Sequence, residues 1–265
     1  MISVPTDIAL TDDALFNGRL CLWQPRDGYR FSVDAPLLVW FASRFGRVQT
    51  AADLGAGCGV VGLGLLAAET AATVAGIEIQ PDLARLAEQN AARNGLADRY
   101  LALTRDIGQV GEERRLYGAC DLVVANPPFW PGDQGQLPAC EQRRVACHEV
   151  AVDLDGWVRT AVRLLRPRRG RLCAVFPARR LGALLAVLMS HAMTGEILVP
   201  VHPRERVPAE LVLISARPGV RDRLVMEPPL VLRDDGVGDS PAVAAILDGS
   251  FSAALAARPD TRAVN

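Results

Sequence analysis

The chain of 265 residues contains no lysine: all 29 of its basic residues are arginine, set against 30 acidic residues for a net charge of −1. Without a basic excess there is no general polyanion-binding surface, so any nucleic-acid site must be a local patch. The all-arginine usage reads as a compositional bias of the genome. Cysteine is sparse, six residues, with no Cys-x-x-Cys pair. The opening residues, Met1-Ile2-Ser3-Val4-Pro5-Thr6-Asp7, are too polar for a signal peptide. No disulfide framework and a reduced, cytoplasmic setting are therefore expected. Cys140, Cys147 and His148 lie close in sequence, but a fourth ligand is not identifiable, and no metal is expected. Apolar-rich stretches are broken by Gly, Pro or Arg within a membrane-spanning length, so no membrane partner is expected. What is there is a chain 50% hydrophobic and 22% charged. That composition excludes disordered and collagenous classes and can bury a sizeable core.

From residue 33 onward, periodicity alternates between helix and strand. Helices are expected over 33–45, 60–70, 81–94, 154–165 and 179–192, and strands over 50–54, 73–79, 100–104, 121–125 and 171–176. Two closing strands, 196–201 and 210–216, follow one another without a helix. The pattern predicts an α/β fold: a mostly parallel seven-stranded sheet with an antiparallel edge hairpin. Residues 1–32 read as an N-terminal extension with a short hairpin, 33–217 as the main domain, and 218–265 as a tail wrapped on its surface.

In an open parallel sheet, ligands sit beyond the carboxyl ends of the strands near the switch point. The first strand of the series runs into Asp53-Leu54-Gly55-Ala56-Gly57-Cys58-Gly59. Glycines there let backbone approach a ligand closely, and the helix that follows offers free N–H groups. Glu78, followed by Ile79, ends the next strand, where an acid can accept from both ribose hydroxyls. Gly57-Cys58-Gly59-Val60-Val61-Gly62 also satisfies the dinucleotide fingerprint, so NAD binding and a ligand-free turn stand as alternatives. The Gly-x-Gly-x-Gly spacing, with Asp53 before it and Glu78 after it, resembles motif I of class I S-adenosylmethionine methyltransferases. The resemblance implies a Rossmann-like fold.

Asn126-Pro127-Pro128-Phe129 ends the fourth strand. Two prolines there fix φ and remove two donors, leaving the carbonyls of a rigid loop available. The tetrapeptide resembles the Asn-Pro-Pro-aromatic motif of methyltransferases acting on exocyclic amines or amides. Such a nitrogen is planar, and its lone pair is delocalised. Two acceptors, the Asn126 side-chain oxygen and the Pro127 carbonyl, can bind its N–H groups and stabilise the positive charge that develops during attack. No strong general base is needed, because the methylated ammonium is acidic. Phe129 would stack on a base and Trp130 offers a second platform.

The order of further segments resembles the bacterial tRNA-Val adenine-N6 methyltransferase family. These are Thr11-Asp12-Asp13-Ala14-Leu15, Asp27-Gly28-Tyr29-Arg30-Phe31-Ser32-Val33-Asp34-Ala35, Asn90-Ala91-x-x-Asn94-Gly95, Asp106-Ile107, Glu149, Leu165-Arg166-Pro167, Glu210-Leu211-Val212-Leu213-Ile214 and Pro228-Pro229-Leu230. One departure is Arg168-Arg169-Gly170, where the family carries Gly-Gly after Leu-Arg-Pro. The resemblance implies S-adenosylmethionine as cofactor, with Asp106 and Ile107 flanking its adenine and Tyr29, Phe31 and Asp34 closing over it. It implies methyl transfer to N6 of an adenine in tRNA, expected at adenosine 37 of tRNA-Val in the anticodon stem-loop. Guanine-N2 methylation of ribosomal RNA, N5 methylation of a protein glutamine and a non-catalytic binding module of the same fold remain alternatives.

Residues 156–195 hold eight arginines and no acid. Arg166, Arg168 and Arg169 span a helix end and the turn into a strand, at the sheet edge opposite the glycine loop, where cations suit the helix C-terminus. Arg143, Arg144, Arg179, Arg180, Arg204 and Arg206 follow strand ends on the loop's own edge and are the expected phosphate contacts.

Overall fold

The computed structural model describes residues 9–27, 30–108, 113, 115–127, 154–219, 224–234 and 238–256. Tyr29, Pro128, Phe129, Trp130, Arg143, Arg144, Cys140, Cys147 and His148 lie outside them.

The chain opens with an antiparallel hairpin of β1 (Leu10–Leu15) and β2 (Leu20–Pro25), a two-stranded sheet of its own. Then come α1 (Asp34–Ser43), β3 (Val48–Leu54), α2 (Val60–Ala67), β4 (Ala71–Glu78), α3 (Pro81–Arg93), β5 (Tyr100–Thr104) and β6 (Leu122–Ala125). The second half runs α4 (Leu154–Leu164), β7 (Arg171–Pro177), α5 (Leu181–Ser190), β8 (Met193–His202) and β9 (Leu211–Pro218). It ends in β10 (Val225–Met226), β11 (Leu230–Val231), α6 (Pro241–Asp248) and α7 (Phe251–Ala256).

The main sheet is ordered β10-β8-β9-β7-β6-β3-β4-β5, with β11 also pairing β8. Strands β3 to β7 are mutually parallel. β9 runs antiparallel to both β7 and β8, so β8 points the same way as β7. Among the described residues the sheet therefore has nine strands where seven were expected. The added pair, β10 and β11, comes from the tail and lies parallel to β8. Pro228 and Pro229 separate the two, because neither can donate a ladder bond.

Alternate residues of the central strands enter opposite cores, as period-2 side chains must. In β6, Leu122 and Val124 join the core built with α1, α2 and α6. Val123 and Ala125 join the core built with α4 and α5. α1 is buried from Ala35 to Ala42 because neighbours cover it all round. α2 stops at Ala67, short of the expected residue 70. Glu69 adopts φ 54° and the Thr70 N–H closes on the Leu65 carbonyl at 2.9 Å, a left-handed helix end. Among the described residues no helix is long and apolar enough to cross a membrane.

Candidate active site

Three strand ends converge at the carboxyl edge. Leu54 of β3 lies opposite Ile77 of β4 on one side and Ala125 of β6 on the other. Gly55, Glu78 and Asn126 are the next residues of the three strands and so stand in one row. With strands ~4.8 Å apart, the backbones of Glu78 and Asn126 are roughly 10 Å apart with Gly55 between them. β5 adds to the row, with Thr104 opposite Glu78. Asp106 and Ile107 follow two and three residues later.

The loop after β3 needs its glycines for conformation: Gly55, Gly57 and Gly59 have φ of 75°, 56° and 89°. Gly62, the third glycine of the dinucleotide fingerprint, has a packing reason instead. A Cβ there would lie 2.9 Å from the Tyr100 ring. Its N–H donates to Asp53 Oδ2 at 2.9 Å. Asp53 is only 1% exposed and sits beneath the loop, holding the first turn of α2 to the end of β3. Burial pushes its carboxyl up to about 7 against the Gly62 N–H bond, and the nearby charge of Glu78 adds to the rise.

Glu78 is buried and holds the loop from the side. Its Oε2 accepts the Gly57 N–H at 2.8 Å and its Oε1 accepts the Gln80 N–H at 3.0 Å. An ionised carboxylate has about four acceptor sites, the chemistry that a pair of ribose hydroxyls requires. Ile79 follows it, half-buried. Asp106 Oδ1 accepts the Gly108 N–H at 2.7 Å, and the Ile107 carbonyl accepts the Thr160 hydroxyl of α4 at 3.0 Å. Asp34 opens α1, and burial raises its carboxyl against a bond with the Ser32 hydroxyl. Phe31 packs half-buried against the α1 side of the core and donates its N–H to Gln24 Oε1 at 3.0 Å.

Two braces, made by three side chains to which the sequence assigned no role, hold this side. Asn90, fully buried on α3, donates through Nδ2 to the carbonyls of Trp23 and Cys58, both at 3.0 Å, and accepts the Trp23 N–H at 2.8 Å. One turn later, Asn94 accepts the Cys21 N–H at 2.9 Å and donates to the Cys21 carbonyl at 2.7 Å. Two asparagines at i, i+4 thus serve alternate residues of β2 as a strand partner would, and Asn90 ties that strand to the glycine loop. The signal was visible as Asn90-x-x-x-Asn94, but its partners are remote in sequence. The second brace is Gln24, 1% exposed, which links Phe31 to Asp13 Oδ2 (2.7 Å).

Asn126 is 8% exposed, and its Oδ1 is buried without a hydrogen-bond partner among the described residues. Leaving a buried amide oxygen unpaired costs about 1–3 kcal/mol, and a ligand donor would recover it. Pro127 beside it is buried and has no N–H to offer.

Arg204 and Arg206 are exposed in the β8–β9 turn. Because β8 runs parallel to β7, that turn lies at the same edge as Asn126, three strand spacings or roughly 14 Å along the sheet. Arg179 and Arg180, in a 3₁₀ turn after β7, are exposed at the same edge. Arg166 lies at the opposite edge, paired with Asp121 at 2.8 Å.

Comparison with known proteins places this geometry among methyltransferases. Residues 36–146 match the model of the methyltransferase small domain family. A tRNA1(Val) (adenine(37)-N6)-methyltransferase of Dickeya chrysanthemi is 31% identical over 69% of this chain and 72% of its own length. The enzyme of that name from Porphyromonas gingivalis is 32% identical over 64% of this chain, which spans 66% of that relative's length, just under two thirds. A release factor glutamine methyltransferase of Agrobacterium fabrum is 32% identical over 50% of this chain and 44% of its own length. Among solved structures, a predicted O-methyltransferase from Agrobacterium tumefaciens superposes with a TM-score of 0.64. At 23% identity, it covers 82% of this chain and 96% of that chain.

Proposed function

We propose that this chain, which belongs to the bacterial tRNA1(Val) adenine-N6 methyltransferase family, methylates the exocyclic N6 of an adenine in tRNA. The observation that carries the reading is the buried Oδ1 of Asn126, unpartnered among the described residues and standing in one row with Gly55 and Glu78. The residues present fit S-adenosylmethionine. A glycine loop with positive φ at three positions admits its backbone-facing side, and the Glu78 carboxylate, held beside that loop by the Gly57 N–H, is an acceptor for its ribose hydroxyls. Ile79, Asp106 and Ile107 border the adenine. Asp34 and Phe31, with Tyr29, close the hairpin side. Asp53 acts from beneath, holding the loop in shape. Bound there, the cofactor would supply an electrophilic methyl group to the nitrogen, leaving S-adenosylhomocysteine, and the methylated cation would release one proton to solvent.

The chain's own residues then have four tasks. Asn126 Oδ1 and the Pro127 carbonyl accept the two N–H bonds of the target amine, which fixes the planar nitrogen and stabilises its developing positive charge. Pro128 keeps the loop rigid. Phe129 stacks on the base, worth roughly 1–3 kcal/mol, with Trp130 as a further platform. The base must leave its stack to reach this edge, so an unpaired anticodon-loop base, such as adenosine 37 of tRNA-Val, is the cheaper substrate. Arg143, Arg144, Arg204 and Arg206 contact phosphates. The work is set in the cytoplasm.

A protein glutamine amide offers the same planar nitrogen, and the release factor match favours it as the second reading. Mass spectrometry of nucleosides from cellular tRNA, with and without the gene, tests the first. N6-methyladenosine should fall in one tRNA when the gene is removed. An unchanged tRNA pool with loss of methylglutamine from a protein would install the second.

A further inference from the structure

Between the β8–β9 turn and the segment after β11 lies a cleft of about 320 Å³ lined by Pro203, Arg204, Val207, Leu232 and Arg233. We propose that it is a subsite for a single-stranded RNA nucleotide flanking the target base. Arg204 and Arg233 hold its phosphate, and Pro203, Val207 and Leu232 form the apolar floor under its base. The inference rests on the RNA reading above and adds a site on the C-terminal tail to it.

The cleft is built into the backbone. β11 zips onto the end of β8, with Val231 opposite His202. The Leu232 N–H donates to the His202 carbonyl at 2.8 Å and the Arg233 N–H to the Pro203 carbonyl at 3.2 Å. The facing turn is closed by the Val207 N–H on the Arg204 carbonyl (3.1 Å) and by His202 Nδ1 against the Val207 carbonyl (2.7 Å). Behind β11, the Ser240 hydroxyl donates to the Val231 carbonyl at 2.6 Å. The two arginine-bearing segments are thus fixed relative to each other.

The guanidiniums are also available. Among the described residues Arg204, Arg206 and Arg233 make no ion pair, and no carboxylate lines the cleft. The contrast is the larger arginine-lined cleft, about 380 Å³, at the opposite sheet edge. There Arg166 is paired with Asp121, Arg47 with Glu69, and Arg171 and Arg217 share Glu196. Those four cations already have their acids; Arg169, at the same cleft, makes no ion pair among the described residues. At the β8–β9 cleft Glu205, Asp234 and Asp239 lie near in sequence, so long-range attraction is weak and recognition rests on close contact. A planar guanidinium fork suits a phosphate, and an apolar floor suits a splayed base. The cleft opens at the same edge as Asn126, so one strand can serve both.

The test is fluorescence anisotropy of wild-type protein, Arg233→Ala, Arg204→Ala/Arg233→Ala and Arg233→Lys with a labelled anticodon stem-loop RNA over a salt series. Arg233 is exposed and its N–H survives the change, so thermal melting should match wild type. Arg233→Ala should weaken RNA binding roughly three- to tenfold and reduce the slope of log K against log salt by about 0.7–0.9. The double variant should lose about twice that slope. Arg233→Lys should restore the slope but not the affinity. Wild-type affinity and slope in both alanine variants, with RNA still bound and methylated, would overturn the cleft and with it Arg204 as a phosphate contact, and would leave the methyl-transfer reading standing. No RNA binding by wild type would overturn both the cleft and the RNA reading.

Discussion

Glu78→Ala separates two jobs of one carboxylate. In the free protein Glu78 accepts the N–H groups of Gly57 and Gln80, at 2.8 and 3.0 Å. The same carboxylate is assigned to the cofactor ribose. Removing the side chain leaves the buried Gly57 N–H without this acceptor, which should destabilise the fold by about 1–3 kcal/mol. Losing charged acceptance of a ribose hydroxyl should remove a further ~1.5–3 kcal/mol from binding, a fall in S-adenosylmethionine affinity of roughly 10- to 100-fold. Glu78→Gln keeps one carbonyl acceptor but turns an amide donor toward one of the two backbone N–H groups. It should lie between the other two proteins in both properties. The assay is titration calorimetry with S-adenosylmethionine beside thermal unfolding of the same samples. A folded Glu78→Ala protein that binds the cofactor as tightly as wild type would refute the placement of the ribose.

Asp53→Asn should change how stability depends on pH. The folded-state carboxyl of Asp53 is raised to about 7, so the folded protein holds a proton that the unfolded chain releases above about pH 4. The stability contributed by protonated Asp53 is therefore present at low pH and is lost as pH rises through that window, by at most ~1.4 kcal/mol per pH unit. The asparagine variant lacks this slope, so its urea midpoint relative to wild type should climb between pH 4.5 and 7.5; a constant difference would count against the burial argument. Asn90→Ala, which frees the Trp23 N–H and the Trp23 and Cys58 carbonyls, should lower stability by about 2–4 kcal/mol and weaken cofactor binding. Asn90→Asp should fare no better, since it cannot donate, and a neutral result in chemical denaturation would remove the brace. Neutralising Arg143, Arg144, Arg204 and Arg206 should flatten the salt dependence of tRNA binding more than neutralising Arg166, Arg168 and Arg169, and filter binding in the reverse order would move the RNA to the other edge.

The strand–helix alternation from β3 to β9 was legible because buried strands such as β3, β6 and β7 are short apolar runs closed by Gly, Asn and Pro respectively. The row of Gly55, Glu78 and Asn126 followed from the rule that parallel strands end at one edge. The tail was less legible. Ser240-Pro241 and Gly249 mark the two ends of α6, and Ser240 does cap it, but eight residues of moderate amphipathicity gave little periodicity. β10 and β11 are two residues each and exist only because β8 offers an edge. Long-range packing was not legible at all. Nothing local says that Gly76 is required because Tyr100 fills the space over it. The arginine run of 156–195 showed its charge but not the acids, Asp121 and Glu196, that meet Arg166 and Arg171 from distant strands.

The most direct test of the chemistry is methyl transfer by Asn126→Ala. Purified wild type and variant are incubated with labelled S-adenosylmethionine and total tRNA, and the RNA is digested to nucleosides. Wild type should place label in N6-methyladenosine. Asn126→Ala should bind S-adenosylmethionine with nearly unchanged affinity yet turn over on the order of 10²–10³-fold more slowly, the penalty for losing one preorganised contact to the reacting group. Full turnover by Asn126→Ala would contradict the assignment of Oδ1 as an acceptor for the target amine. Label confined to N2-methylguanosine or to an added protein would leave that acceptor in place and replace the substrate.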